Sequence, residues 1–215
     1  MKIYILLLAL WLTPVWSAEC KDFRFRETSF TACTAKLPKD DIRLFLHDKT
    51  GKNFGQFQKL GNFLNQQGLD IVFATNGGMY HADRSPVGMY VENFSEFSPL
   101  ITIEGPGNFG MLPNGVFCFN KREFVILETR KFAQAGVHCQ YATQSGPLLV
   151  INGKIHPKFI KGSPSKFIRS GVGVSTDGLK TVFLISNEPV NFHHFASVFL
   201  DHLAINNALY LDGNI

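Results

Sequence analysis

A chain of 215 residues with 45% hydrophobic and 18% charged side chains suits one domain with a sizeable core. Its formal net charge of +4 is scattered along the sequence with no block of like charges, so nucleic acid is not implied as a partner, and the mildly basic surface suits anionic substrates. Four cysteines without a Cys-x-x-Cys pair exclude zinc-ribbon and thioredoxin-type sites, and their even number predicts disulfides in an oxidising compartment.

At the start of the chain Lys2 precedes an apolar run from Ile3 to Leu12. Thr13-Pro14 then breaks any helix before Val15-Trp16-Ser17-Ala18. This order predicts a signal peptide over residues 1–17, cleaved after Ser17 or Ala18, and a domain over residues 18–215 that works in the periplasm or outside the cell. The run is about half the roughly twenty residues needed to cross a bilayer, so no membrane anchor is expected after cleavage. Cys20, Cys33, Cys118 and Cys139 allow three pairings; short loops between extended segments favour Cys20 with Cys33 and Cys118 with Cys139, without settling the choice.

Short apolar runs rich in phenylalanine, separated by Gly, Pro, Asn and Asp, predict strands over 41–47, 71–76, 87–92, 100–103, 116–120, 123–128, 138–143, 148–151, 172–175, 181–186 and 208–212. Asn152-Gly153 and Asp177-Gly178 are hairpin dipeptides between such runs. A helix is expected over 54–67, with Phe57, Leu60, Phe63 and Leu64 on one face and Gly68 as its stop. A second is expected over 191–204, capped by Asn191, with Phe192, Phe195, Ala196, Phe199, Leu200 and Leu203 facing a core. Its opposite face, His193, His194, Asp201 and His202, reads as a solvated polar face. The whole reads as α+β: a single domain of mixed, mostly antiparallel sheets with packed helices.

Gly105-Pro106-Gly107-Asn108-Phe109-Gly110 matches the dinucleotide fingerprint only formally, because Pro113 and Asn114-Gly115 stand where a helix should begin. No P-loop, His-Glu-x-x-His or Gly-x-Ser-x-Gly elbow occurs, and no organic cofactor is expected. The chemistry-bearing residues instead sit at the ends of apolar runs. They are Asn76-Gly77-Gly78, Asp83-Arg84-Ser85, Gln144-Ser145-Gly146-Pro147, Arg169 before Gly171-Val172-Gly173, Glu188-Pro189, and Leu211-Asp212-Gly213.

In this order these segments resemble the phosphodiester glycosidase family, the domain of the mannose 6-phosphate uncovering enzyme, and are nearest its short bacterial exported branch. The resemblance runs from about Phe23 to the end. It implies a hydrolase that cleaves sugar-1-phosphodiester linkages, in envelope glycopolymers or their fragments, and releases a phosphate monoester. Arg169 would clamp the phosphate, because a guanidinium offers two parallel donors. Asp212 would be nucleophile or general base, with Glu188 as the second carboxylate. A separation of about 5 Å favours retention and about 6.5–9.5 Å inversion. Asn76 and Gln144 would orient sugar hydroxyls, with Ser145 and Gly213 beside the substrate and Arg84 as a second anion contact. Gly77, Gly78 and Gly146 would serve through a positive φ or exposed amides. Carboxylates and amide oxygens suit calcium or magnesium, but no spacing marks a metal loop, and the metal is left unassigned. The family usually continues past its Asp-Gly element with another strand, whereas this sequence stops at Ile215: either it is a fragment or the last strand is absent, which would leave an open sheet edge beside the site. The rival reading is a non-catalytic envelope protein that binds an anionic glycan through the same pocket. A disulfide-stabilised scaffold without a ligand comes third.

Overall fold

A computed structural model of the chain describes residues 18–213, so the expected signal peptide lies outside the described residues. The chain opens with a hairpin, β1 (Glu19–Phe25) and β2 (Thr28–Lys36), and reaches α1 (Phe57–Asn65). β3 (Tyr90–Glu92), β4 (Ser95–Ser98), β5 (Gly115–Phe119), β6 (Phe124–Glu128), α2 (Thr129–Ala135) and β7 (Tyr141–Ser145) follow. The last third holds β8 (Leu148–Ile151), β9 (Lys154–Ile155), β10 (Ser170–Val174), β11 (Lys180–Ser186), α3 (Phe192–Ser197), a π-helical turn (Val198–His202) and β12 (Asn207–Asp212).

Two antiparallel sheets result, in the orders β1-β2-β11-β10-β12-β8-β9 and β4-β3-β7-β5-β6. The α+β reading therefore holds. Alternation along the strands builds three apolar layers. Phe117, Phe124 and Ile126 of the smaller sheet meet Val172, Leu209 and Leu211 of the larger one. The other face of the larger sheet carries Phe195, Val198 and Phe199 of α3 and its π-helical extension. Phe132 of α2 covers Val116 and Ala142 on the outer face of the smaller sheet. The order is helix, sheet, sheet, helix, and Gly146-Pro147, joined by a cis peptide, carries the chain from one sheet to the other.

The Gly171-Val172-Gly173 pattern is explained by this layering. Val172 points between the sheets, whereas a Cβ on Gly171 would stand 3.2 Å from Phe195 Cε1 and one on Gly173 2.6 Å from Ile205 Cγ2 and 2.8 Å from Phe199 Cδ1. The glycines let the helix phenylalanines lie directly on the strand backbone. Gly173→Ala is therefore expected to destabilise the fold by about 1–3 kcal/mol in urea unfolding. Gly105→Ala, where nothing lies within 4 Å, should change stability by less than about 0.5 kcal/mol. Equal effects at the two positions would remove the packing role given to Gly173.

Both favoured disulfides form: Cys20–Cys33 across the first hairpin and Cys118–Cys139 between β5 and the segment before β7. Asn191 caps α3 as expected, its Oδ1 accepting from His194 N–H at 2.8 Å. Asn152-Gly153 and Asp177-Gly178 turn the β8–β9 and β10–β11 hairpins.

Three expectations need correction. Segments 41–47, 71–76 and 100–103 run outside helices and ladders, apart from an isolated bridge at His47. Apolar side chains of the first two line a cleft, Leu100 packs against the outer face of the smaller sheet and Ile103 is exposed, while Leu46 O still accepts from Phe54 N–H at 2.9 Å. The hairpin β1–β2 and the helix α2 were not anticipated. That hairpin changes the reading of His194, which is half-buried and packs near Phe25 and Phe30, whereas His202 stays exposed as expected while stacking on Phe23 at 4.5 Å.

Candidate functional site

At one end of the larger sheet β10 begins, β11 ends and β12 ends together. Ser170 pairs with Ile185 on one side and Asp212 on the other, with a register shift between Ser170 and Gly171. Ser170 Oγ donates to the Asp212 carbonyl and accepts from Asp212 N–H at 3.3 Å, which fixes the backbone that carries the carboxylate. Gly213 N–H donates to Asp212 Oδ1 at 2.7 Å. Only glycine fits there, since a Cβ would stand 1.8 Å from the Ile168 carbonyl oxygen.

Arg169 is buried, with 2% of its surface exposed. Its backbone is pinned by Ser186, whose Oγ accepts from Arg169 N–H at 2.9 Å. Its guanidinium lies 3.5 Å from the centre of the Phe192 ring, while Nε donates to Val190 O at 2.8 Å and Nη2 to Ser165 O at 3.3 Å. Among the described residues no carboxylate forms an ion pair with it. Burial therefore lowers its pKa, opposed only by the Tyr210 phenol, which hydrogen-bonds to it. Burial raises the Tyr210 pKa, and the negative charge of Asp212 raises it further, against the influence of Arg169. Arg169, Tyr210 and Asp212 thus form one electrostatic group. Phe167, 61% exposed and held to Val190 by a backbone bridge, presents its ring 5.6 Å from the guanidinium.

The other expected residues divide. Gly78 abuts β7: a Cβ there would stand 2.9 Å from Thr143 Oγ1 and 3.6 Å from Ser145 Cβ. Ser145 Oγ in turn donates to Leu211 O at 3.1 Å, next to Asp212. Gly77 and Gly78 have no positive φ, nor has Gly146, whose Cβ would meet Asn114 Cβ at 2.6 Å. Close packing is what these glycines serve. Asn76, Gly77 and Arg84 line an adjoining cleft of about 800 Å³. Asn76 accepts from Thr75 Oγ1 at 3.2 Å, but its buried Nδ2 has no acceptor among the described residues. Arg84, at a φ of 70°, stacks over Tyr80 at 4.6 Å.

Gln144 is occupied elsewhere. Its Oε1 accepts from the N–H groups of Met89 and Ile101, and its Nε2 donates to Ile101 O at 2.6 Å and Thr129 Oγ1 at 3.2 Å. It alternates with Thr143, which lines the cleft, and braces the loop around Ile101 against β7. Glu188, exposed just past the end of β11, accepts from Ser29 N–H at 3.2 Å on the first hairpin, whereas Asp212 stands at the end of β12. Among the described residues no three His, Cys, Asp or Glu side chains gather as a metal site.

Tyr210 and Phe192 were missed as site residues. Tyr210 and Asp212 are two apart on one strand, a spacing that marks a shared face and was available in the sequence. Phe192 carried only the signal of a core helix face.

His194 gives a pH expectation. Its Nε2 is buried and unpartnered, and burial lowers its pKa, with the positive charges of Arg26, His193 and Lys166 acting in the same direction. Burial and Lys158 lower that of His156, against a backbone hydrogen bond at Leu112. Below the ordinary histidine pKa of about 6.5 the unfolded chain binds more protons than the folded one, so stability present above that pH is lost as pH falls. The melting temperature should be lower at about pH 5.5 than well above the histidine range, and His194→Phe should narrow the gap. A gap of undiminished width would exclude His194 as a contributor.

Residues 70–215 match the phosphodiester glycosidase family. The chain is 33% identical over 210 residues to the uncharacterized protein YigE of Escherichia coli (strain K12), covering 97% of this chain and 82% of that protein. Its fold is similar to the catalytic domain of zebrafish N-acetylglucosamine-1-phosphodiester alpha-N-acetylglucosaminidase, solved in a form auto-inhibited by its pro-peptide. The TM-score is 0.56 at 13% identity, over 94% of this chain and 72% of that one. The structural likeness supports the fold, and the family match, over more than half of the chain, establishes that the chain belongs to the phosphodiester glycosidase family.

Proposed function

We propose that the protein is an exported hydrolase that cleaves the bond between the anomeric carbon of a sugar and the oxygen of a phosphodiester. Water supplies the hydroxyl left on the sugar and the proton balance, and the departing group is a phosphate monoester. Its second pKa of about 6 lets it leave without strong acid assistance. What remains for the protein is to hold the phosphate, place the sugar and stabilise an oxocarbenium-like transition state.

The observation that carries this reading is the buried Arg169 guanidinium without a described carboxylate counter-ion. A buried charge is costly unless compensated. A phosphodiester anion at the strand ends would supply the missing charge, with the Tyr210 hydroxyl as a further polar contact. Asp212, anchored through Gly213 and Ser170, would act on the anomeric carbon as nucleophile or as base for water. The exposed Phe167 ring offers a face for the sugar. Membership of the family and the presence of two disulfides support the activity and the export respectively.

The test is a panel of sugar-1-phosphodiesters, with products followed by NMR. Free sugar and phosphate monoester should appear in equal amounts for at least one compound, and the first-formed anomer then reports retention or inversion. Saturable binding of the panel with no turnover would replace the hydrolase by a binder of anionic glycans.

A further inference from the structure

The cleft beside the strand ends is built from side chains that the sequence pattern marks as core. Segments 41–46 and 70–77 form its walls, yet neither joins a ladder, and Ile71 and Val72 stay 36% and 57% exposed. Phe73 packs its ring, tilted, against Phe183 of the larger sheet at 5.2 Å, so aromatic rings reach from the wall to the floor. An apolar surface of this extent around a cleft of about 800 Å³ matches the size and lining of a ligand site.

Among the polar residues of the lining, which include Asp40, Asp41 and Asp70 with Lys39 and Arg43, two features indicate what such a ligand carries. Asn76 Nδ2 is a buried donor with no acceptor among the described residues, in a position where buried polar groups are normally satisfied. Arg84 adds a positive charge at Tyr80, also in the lining. The cleft borders the strand end that carries the candidate site, although Arg169, Tyr210 and Asp212 do not line it: Leu211 lines it and the next residue is Asp212, while Gly78 lines it and abuts Ser145, whose hydroxyl holds the Leu211 carbonyl.

We infer that the cleft binds an apolar chain carried on a phosphate, so that the alcohol on the far side of the phosphodiester is a long alkyl or isoprenoid alcohol. This rests on the hydrolase reading for the role of the phosphodiester, whereas the binding itself does not. The phosphate would sit between Arg169 and the Asn76 turn, with the chain running over Phe73 and Phe183.

The test uses n-dodecyl phosphate and methyl phosphate below micellar concentrations, measured by calorimetry on the wild-type chain and on Val72→Asp and Phe73→Ala, with circular dichroism as a folding control. Dodecyl phosphate should bind at least about tenfold more tightly than methyl phosphate, and both variants should lose most of that preference. Equal binding of the two phosphates, or a preference untouched in both folded variants, would overturn the inference. Matched sugar-1-phosphodiesters bearing methyl or dodecyl groups separate it from the hydrolase reading. Turnover with the same kcat/KM for both sinks the apolar-chain inference alone, and chain-dependent binding without turnover of either sinks the hydrolase reading alone.

Discussion

Asp212→Asn is expected to lower hydrolysis of a sugar-1-phosphodiester by about two to four orders of magnitude while leaving the fold intact. The separation of the two effects follows from how the carboxylate is held. Its Oδ1 accepts from Gly213 N–H, and the backbone on either side is tied to Ser170. An asparagine keeps an Oδ1 in the same place, so the local turn survives. What it loses is the negative charge that acts on Tyr210 and that a nucleophile or a general base requires. The melting temperature should stay within a few degrees of wild type, which corresponds to less than about 1 kcal/mol for a domain of this size. Turnover reduced by less than about tenfold would remove Asp212 from the chemistry and return attention to Glu188.

The second large effect belongs to Arg169. Arg169→Lys keeps a positive charge over Phe192 but cannot reproduce the flat fork that donates to Val190 O and Ser165 O and offers paired donors to a phosphate. Turnover should fall by about 10²–10³-fold, the magnitude typical of losing one donor aimed at developing charge. Some stability is lost as well, about 1.5–3 kcal/mol for a hydrogen bond to a charged group, so the two consequences have to be read apart. Inorganic phosphate does this. It should raise the melting temperature of the wild-type protein and not that of Arg169→Lys. A variant that is equally stabilised by phosphate would confine Arg169 to bracing the loop at Ser165.

Much of this architecture was legible in the sequence because it depends on local periodicity. The helix after Asn191 announced both its cap and its buried face, and the hairpins at Asn152-Gly153 and Asp177-Gly178 announced their turns. The first hairpin was overlooked although Phe23 and Phe25 alternate with polar residues, and with it went the partial cover over His194 and the ring contact to the exposed His202. Segment 71–76 shows a different limit. Its apolar run correctly signalled apolar surroundings, but a run of apolar residues does not say whether its backbone will find a partner, and here it borders a cleft.

The same distinction applies to the site. Arg169, Asp212, Gly213, Ser145 and Gly78 come to one sheet end because each stands at the end of a strand or packs against one, a feature that sequence reveals. Gln144 and Glu188 share that sequence position but not the outcome. Whether a strand-end side chain meets the ligand depends on which face it takes and which neighbour claims its hydrogen bonds. Gln144 is claimed by Met89, Ile101 and Thr129, and Glu188 by Ser29. The three glycines were read for their conformational freedom, whereas tertiary contact with Leu44, Thr143 and Asn114 is what leaves no room for a side chain at Gly77, Gly78 and Gly146.

The central claim is that the strand-end group of Arg169, Tyr210 and Asp212 breaks the bond at the anomeric carbon and not the bond at phosphorus. Hydrolysis of a sugar-1-phosphodiester in heavy-oxygen water distinguishes the two directly. The heavy oxygen is predicted in the anomeric hydroxyl of the released sugar, with none in the phosphate monoester and no label transfer by Asp212→Asn. Heavy oxygen in the phosphate product would contradict the assignment of the site as a glycosidase.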